Sequence, residues 1–188
     1  MAGRLLLIRH CATDAGDSGR LVGSTDVEAS RQGLGGVARL GSLLEEQPPD
    51  IWFCSPLLRA TQTADRLRRQ CGIKQDFIID QRLREIDFGR WEMKTFAEIC
   101  AAEPARVESW KRFTDFVFPG GEAVASFQAR VAGAYDSMRQ KNAGQVGVIT
   151  HGGVIRTMIC LALGIDPGNY LLFHVRSCRA AVIDIYPE

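Results

Sequence analysis

Two histidines end two aliphatic runs. Leu5-Leu6-Leu7-Ile8 leads into Arg9-His10, and Gln145-Val146-Gly147-Val148-Ile149-Thr150 leads into His151-Gly152-Gly153. Short apolar runs of this kind read as buried strands. In an open parallel sheet, ligands bind beyond the carboxyl ends of the strands. If the two strands are neighbours, both imidazoles reach one crevice. Gly152-Gly153 then opens a helix at Val154, and the free N–H groups of that helix start suit an anion. A third run, Ile51–Cys54, is followed by Ser55-Pro56-Leu57-Leu58-Arg59. Arg59 falls in the first turn of the next helix, where the macrodipole disfavours a cation unless an anion compensates it. Arg9 and Arg59 could clamp phosphoryl oxygens in the forked geometry that suits guanidinium better than ammonium.

Each residue also has a plainer reading. A single buried histidine is more often a satisfied core residue than a ligand; the matched pair favours a site. Arg59 alone would read as a helix surface charge. Arg82, Arg84, Glu85 and Asp87 together would read as a solvated charged loop.

The elements that must position these residues alternate. Leu5–Ile8 is a strand, and residues 11–30 are a loop rich in Gly, Ser, Thr and Asp. Leu34, Val37, Gly41 and Leu44 recur at helical spacing until Pro48-Pro49. Ile51–Cys54 is a strand, Leu57 to Leu67 a helix, and Phe77–Ile79 a strand. Val124, Phe127, Val131, Ala134 and Met138 mark an amphipathic helix. Val146–Thr150 is a strand, Val154–Leu163 a helix and Ala180–Ile185 a final strand. This alternation predicts an α/β fold with a largely parallel sheet. Residues 87–122 break it and read as a helical insertion holding Trp91 and Trp110.

Composition narrows the partners. The 188 residues carry 23 Lys+Arg against 22 Asp+Glu, a net charge of +1, with 46% hydrophobic residues. The chain is too apolar and too evenly charged to be disordered. No basic excess exists to neutralise a nucleic acid backbone. Leu5–Ile8 is shorter than the roughly 7–15 apolar residues of a signal peptide, and no run approaches a membrane span. The six cysteines, Cys11, Cys54, Cys71, Cys100, Cys160 and Cys178, form no Cys-x-x-Cys pair. They are read as reduced thiols, and the protein as cytoplasmic, with no nucleic-acid or membrane partner.

Five blocks now carry a resemblance. Leu7-Ile8-Arg9-His10, Ser55-Pro56-Leu57-Leu58-Arg59-Ala60-Thr61-Gln62-Thr63-Ala64, Glu85-Ile86-Asp87-Phe88-Gly89-Arg90-Trp91-Glu92, Phe118-Pro119-Gly120-Gly121-Glu122 and Thr150-His151-Gly152-Gly153 resemble the histidine phosphatase superfamily, the phosphoglycerate mutase-like proteins. The blocks stand in the family's order and span nearly the whole chain. The compact length and Gly23-Ser24-Thr25-Asp26-Val27 look most like the alpha-ribazole phosphatase subgroup. The resemblance implies a three-layer α/β/α fold, one domain over residues 1–188, with a helical cap at about 87–122. It implies that His10 is the nucleophile that becomes phosphohistidine and Glu85 the proton donor. Arg9, Arg59, Thr13, His151 and Gly152 match its phosphate pocket. It implies a small phosphorylated substrate, such as alpha-ribazole 5'-phosphate, no cofactor and no metal, and a monomer or homodimer. Two arginines and a second histidine supply the positive charge that phosphoryl transfer needs.

Some residues depart from the family. Cys11 stands where Gly is usual, Ala12 and Gly16 where Glu and Asn often occur, and Met93 follows Trp91-Glu92. Cys11 reads as a small loop residue or, alternatively, as a redox-sensitive thiol beside the nucleophile. It is not a cysteine-phosphatase nucleophile, since Asp17 stands where the phosphate-binding Arg would be needed. Cys100 and Arg106 have that spacing without a glycine cradle. Gly33-x-Gly35-x-x-Ala38 lacks the preceding strand of a dinucleotide fingerprint. Arg20, Arg84, Trp91 and Phe118 are candidates for lining the substrate site, and His174 near Arg176 reads as structural or rim. Two other functions compete with hydrolysis: a phosphoglycerate mutase, and a catalytically weak phospho-ligand binding protein.

Overall fold

The computed structural model describes residues 3–110 and 115–186. Five strands form one sheet: β1 (Arg4–Arg9), β2 (Ile51–Cys54), β3 (Phe77–Ile79), β4 (Gln145–Thr150) and β5 (Ala180–Asp184), in the order β3-β2-β4-β1-β5. β1 to β4 are mutually parallel, and β5 joins the β1 edge antiparallel. β1 and β4 are adjacent, with Arg9 paired to Thr150, so both histidine-bearing ends stop at the same level.

β1 is apolar from Leu5 to Ile8 because both of its faces are covered there. Leu5 and Leu7 belong to one hydrophobic cluster, and Leu6 and Ile8 to another. On the first face lie α7 (Val124–Arg139) and α8 (Gly152–Leu163), through Val124, Phe127, Val131, Ala134, Met138, Val154, Ile155 and Met158. On the second lie α3 (Gly41–Glu46) and α4 (Leu58–Cys71), with Val37, Leu40, Leu44, Ala60, Ala64 and Leu67. The result is the expected three-layer α/β/α arrangement.

The helical spacing at Leu34–Leu44 does not give one helix. It gives α2 (Arg31–Gly35), a 3-10 segment over Gly36–Leu40, and α3. Gly33, Gly35, Gly36 and Gly41 interrupt the run, and glycine weakens a helix interior. α1 (Asp14–Asp17) is a single turn after β1, capped by Thr13.

Between β3 and α7 lie a 3-10 turn at Gly89–Trp91, α5 (Phe96–Ala102) and α6 (Pro104–Trp110). Thr95 and Glu98 close a reciprocal capping box at the start of α5. Residues 111–114 of the expected insertion lie outside the described residues. Trp91, Trp110, Phe116 and Phe118 make ring contacts with centroids 5.0–6.3 Å apart. These aromatics extend the hydrophobic cluster on the first face of the sheet into the insertion.

Candidate active site

The site begins where three strands end. Ladder bonding continues one residue past β1 and β2: His10 N–H donates to Thr150 O at 2.8 Å, and Ser55 N–H to Ile149 O at 2.9 Å. His10, Ser55 and His151 are therefore carried together by backbone that is already committed. The rings of His10 and His151 lie 5.0 Å apart between centroids. Both are buried, at 7% and 0% exposure.

The hydrogen bonds of His10 decide its tautomer. Its Nδ1 lies 2.6 Å from Cys11 O, and a carbonyl can only accept, so Nδ1 carries the proton. Arg59 Nε donates to His10 Nε2 at 3.3 Å. Nε2 thus holds a lone pair. Burial pushes the His10 imidazole well below its ordinary value of 6.5, and the charges of Arg59 and then Arg9 add to that. His151 is lowered likewise, by burial first and then by Arg59. His151 Nε2 meets Ser55 Oγ at 2.7 Å, while its Nδ1 is buried without a partner.

Arg59 is 1% exposed in the first turn of α4. Its Nη1 and Nη2 donate to Thr25 O (2.9 Å) and Gly23 O (2.6 Å). Asp26 Oδ1 accepts from Leu58 N–H at 2.6 Å, supplying the negative charge that the α4 start prefers. Arg9 Nη1 donates to Val175 O at 2.6 Å, and its Nε is buried without a partner. Thr13 Oγ1 accepts from Gly16 N–H at 3.0 Å, which leaves its hydroxyl proton available.

Glu85 is held at the start of α8. Its Oε2 accepts from Gly153 N–H at 3.0 Å and its Oε1 from Ile86 N–H at 3.1 Å. A Cβ on Gly153 would collide with Oε1. The second glycine of the Gly152-Gly153 pair is thus the space that the carboxylate occupies.

A cavity of about 510 Å³ opens on these groups. Arg9, His10, Thr13, Arg59, Glu85 and Gly152 all lie on its wall, together with Arg20, Leu21, Phe88, Arg156, His174 and Arg176. His151 lies behind His10 rather than on the wall. Of the four residues expected to line the substrate site, only Arg20 does. Arg84 is exposed elsewhere. Trp91 and Phe118 are fully buried in the aromatic core, because two large apolar rings stabilise more by burial than by facing a polar cavity. Phe88 takes the aromatic place on the wall.

The expectation of six reduced cysteines is also corrected. Cys11 and Cys178 form a disulfide across 167 residues of sequence, and Cys54, Cys71, Cys100 and Cys160 are free. β5 runs back along β1, so Cys178 N–H reaches Arg9 O at 3.1 Å and the two thiols meet. No local spacing announces such a pairing.

Several supports escaped sequence reasoning. Thr63 Oγ1 accepts from Cys11 N–H (2.9 Å) and donates to Arg59 O (2.6 Å), tying β1's end to α4. Glu92 accepts from the backbone N–H groups of Ser24 (2.7 Å), Thr25 (2.6 Å) and Phe88 (3.1 Å), and so holds the first loop against the insertion. Arg130 pairs bidentately with Glu122 at 2.7 and 2.9 Å and donates to the carbonyls of Arg82, Arg84 and Glu85. Glu92 and Glu122 stand at the ends of recognisable sequence blocks; Arg130 has no such signal.

The family model of the histidine phosphatase superfamily, branch 1, matches residues 5–188. The chain belongs to the histidine phosphatase superfamily. This histidine phosphatase is 29% identical to phosphoserine phosphatase 1 of Hydrogenobacter thermophilus over 182 residues, 96% of this chain and 85% of that protein. It is 28% identical to glucosyl-3-phosphoglycerate phosphatase of Mycolicibacterium vanbaalenii over 175 residues, 89% of this chain and 77% of that one. Among solved structures it resembles the alpha-ribazole phosphatase of Shigella flexneri, with a TM-score of 0.85 and 27% identity over 97% of this chain and 91% of that chain. No helix among the described residues is long and apolar enough to cross a membrane. Among those residues no group of three or more His, Cys, Asp or Glu is placed to hold a metal ion.

Proposed function

We propose that this histidine phosphatase hydrolyses a small phosphomonoester through a phosphohistidine on Nε2 of His10. The observation that carries the reading is the Nδ1–Cys11 carbonyl bond, which leaves the Nε2 lone pair facing Arg59 beside the cavity. Burial and the two guanidiniums keep that nitrogen unprotonated at neutral pH.

In the first step the bound phosphoryl oxygens take over the Arg59 Nε–H from Nε2, the freed Nε2 lone pair attacks phosphorus, and the ester P–O bond breaks. The leaving oxygen takes the proton of the Glu85 carboxyl. In the second step water attacks the phosphohistidine, the N–P bond breaks, and the water proton returns to Glu85. Arg9, Arg59 and the Thr13 hydroxyl stabilise charge on the phosphoryl oxygens, Gly152 at the start of α8 lies on the same wall, and His151 packs behind the His10 ring with centroids 5.0 Å apart. The insertion at 87–122 acts as the cap of a single domain and supplies Phe88 to the wall.

Alpha-ribazole 5'-phosphate, O-phosphoserine and glucosyl-3-phosphoglycerate are the substrates that the names of the similar proteins suggest. The cytoplasmic reading loses part of its support, because two of the cysteines it counted as thiols are bonded to one another. The test is turnover of p-nitrophenyl phosphate by wild type and His10→Ala, with acid trapping of phosphohistidine. Full turnover in His10→Ala overturns the mechanism. Isomerised phosphoglycerate without free phosphate would identify a mutase instead.

A further inference from the structure

The cavity is larger and more cationic than one phosphoryl group needs. At about 510 Å³ it falls in the usual range of small-molecule sites. Five arginines line it against two carboxylates, Asp17 and Glu85. Arg9 and Arg59 stand beside His10. Arg20 is already engaged, by Met93 O at 2.7 Å and by Glu98 at 3.4 Å. Arg156 and Arg176 remain. Arg156 projects from α8 one turn beyond Gly152. Its Nε donates to Phe173 O at 2.9 Å and its guanidinium lies 6.0 Å from the centre of the Tyr170 ring, so the fork is held in place. No hydrogen bond among the described residues uses its two Nη atoms, and its charge opposes that of Arg9. Arg176 is exposed and has no ion pair among the described residues. His174, two residues before Arg176, lies on the same wall.

We propose that Arg156 and Arg176 form a second anion subsite, so that the substrate carries a carboxylate or second phosphate besides the phosphoryl group that is cleaved. A guanidinium fork held by its own Nε and an aromatic ring loses little freedom on binding such a group. Net repulsion among the cavity's arginines is relieved by the same ligand. The proposal deepens the phosphatase reading and rests on it.

The test compares matched pairs. 3-Phosphoglycerate differs from glycerol 3-phosphate by its carboxylate, and glucose 1,6-bisphosphate from glucose 6-phosphate by a phosphate. The measured quantity is the ratio of kcat/KM within each pair. Wild type should favour the second anion in one pair by on the order of tenfold or more, the size of a charge-assisted hydrogen bond, and that pair says which anion is taken. Arg156→Gln and Arg176→Gln should each lower the ratio at least threefold, and Arg156→Lys should retain part of it. Arg176 is exposed and its variant should fold, so a ratio unchanged in Arg176→Gln overturns the proposal. A wild-type ratio near one in both pairs overturns it too. If none of the four is hydrolysed, turnover of p-nitrophenyl phosphate decides whether the phosphatase reading itself has failed. Calorimetric affinities for the same compounds then supply the ratio.

Discussion

Glu85 is held by Gly153: the Gly153 N–H donates to its carboxylate at 3.0 Å, and the missing Cβ is the space the carboxylate fills. A methyl group there must displace the proton donor of the proposed reaction. Gly153→Ala should therefore lower kcat on p-nitrophenyl phosphate at least tenfold. Alanine is the better helix former by about 1 kcal/mol, so helix weakening cannot account for the loss. Unchanged kcat in a folded variant would show that Glu85 can act from another position.

Arg130 should act on the same carboxylate from further away. It receives the bidentate grip of Glu122 and donates to three of the four carbonyls of the Arg82–Glu85 segment. Arg130→Ala leaves those carbonyls and the Glu122 carboxylate without their donors. A loss of about 1–3 kcal/mol in urea stability is expected, together with a fall in kcat larger than the change in KM. Arg130→Lys should recover stability only in part, since one ammonium cannot span the fork. Equal activity in both variants and wild type would remove Arg130 from any positioning role.

Much of this arrangement was legible in the sequence, and the illegible parts share a cause. β1 and β4 announced themselves because strands buried on both faces are apolar throughout, and each ended in a residue no core needs. Arg59 was readable from its place in the first helical turn after Ile51–Cys54, whereas Glu85 became readable only as a member of a longer block. Trp91 and Phe118 were misplaced because aromatic type alone does not separate a cavity wall from a core. The Leu34–Leu44 period hid a helix broken by glycines. At Gly33 a Cβ would collide with the backbone of Ala12, so close approach overrode helical spacing. Cys11 and Cys178 meet only because β5 turns back along β1, and Arg156 becomes informative only once its Nη atoms are seen to be unused. These are relations between distant segments, and spacing does not encode them.

The disulfide yields a countable outcome. Four of the six cysteines should be alkylated in unfolded, unreduced protein, and all six after reduction. A bridge closing a 167-residue loop restricts the unfolded chain strongly. Reduction, or the Cys11→Ser, Cys178→Ser double variant, should cost about 2–4 kcal/mol in urea denaturation. Six alkylated cysteines without reductant would mean that the bond is not formed.

The two buried imidazoles should set the acid limit of stability. Both are lowered well below 6.5, chiefly by burial. Well above about pH 6.5 neither is protonated in the folded or the unfolded chain, and they contribute no pH dependence. Below it the unfolded chain takes up protons that the folded protein refuses, so stability falls as pH falls towards the folded values. The slope approaches about 1.4 kcal/mol per pH unit for each histidine. Asp80 is lowered by its bonds to Arg82, and its contribution is lost only below the ordinary carboxylate value of 3.8, in a separate window. Urea midpoints between pH 7.5 and 5.0 should therefore drop steadily below 6.5. The acid limb of kcat/KM should lie below that point, because His10 is still neutral there. A midpoint that stays flat to pH 5.0 would mean that His10 and His151 are not both buried as neutral rings, and the unprotonated Nε2 on which the chemistry depends would lose its basis.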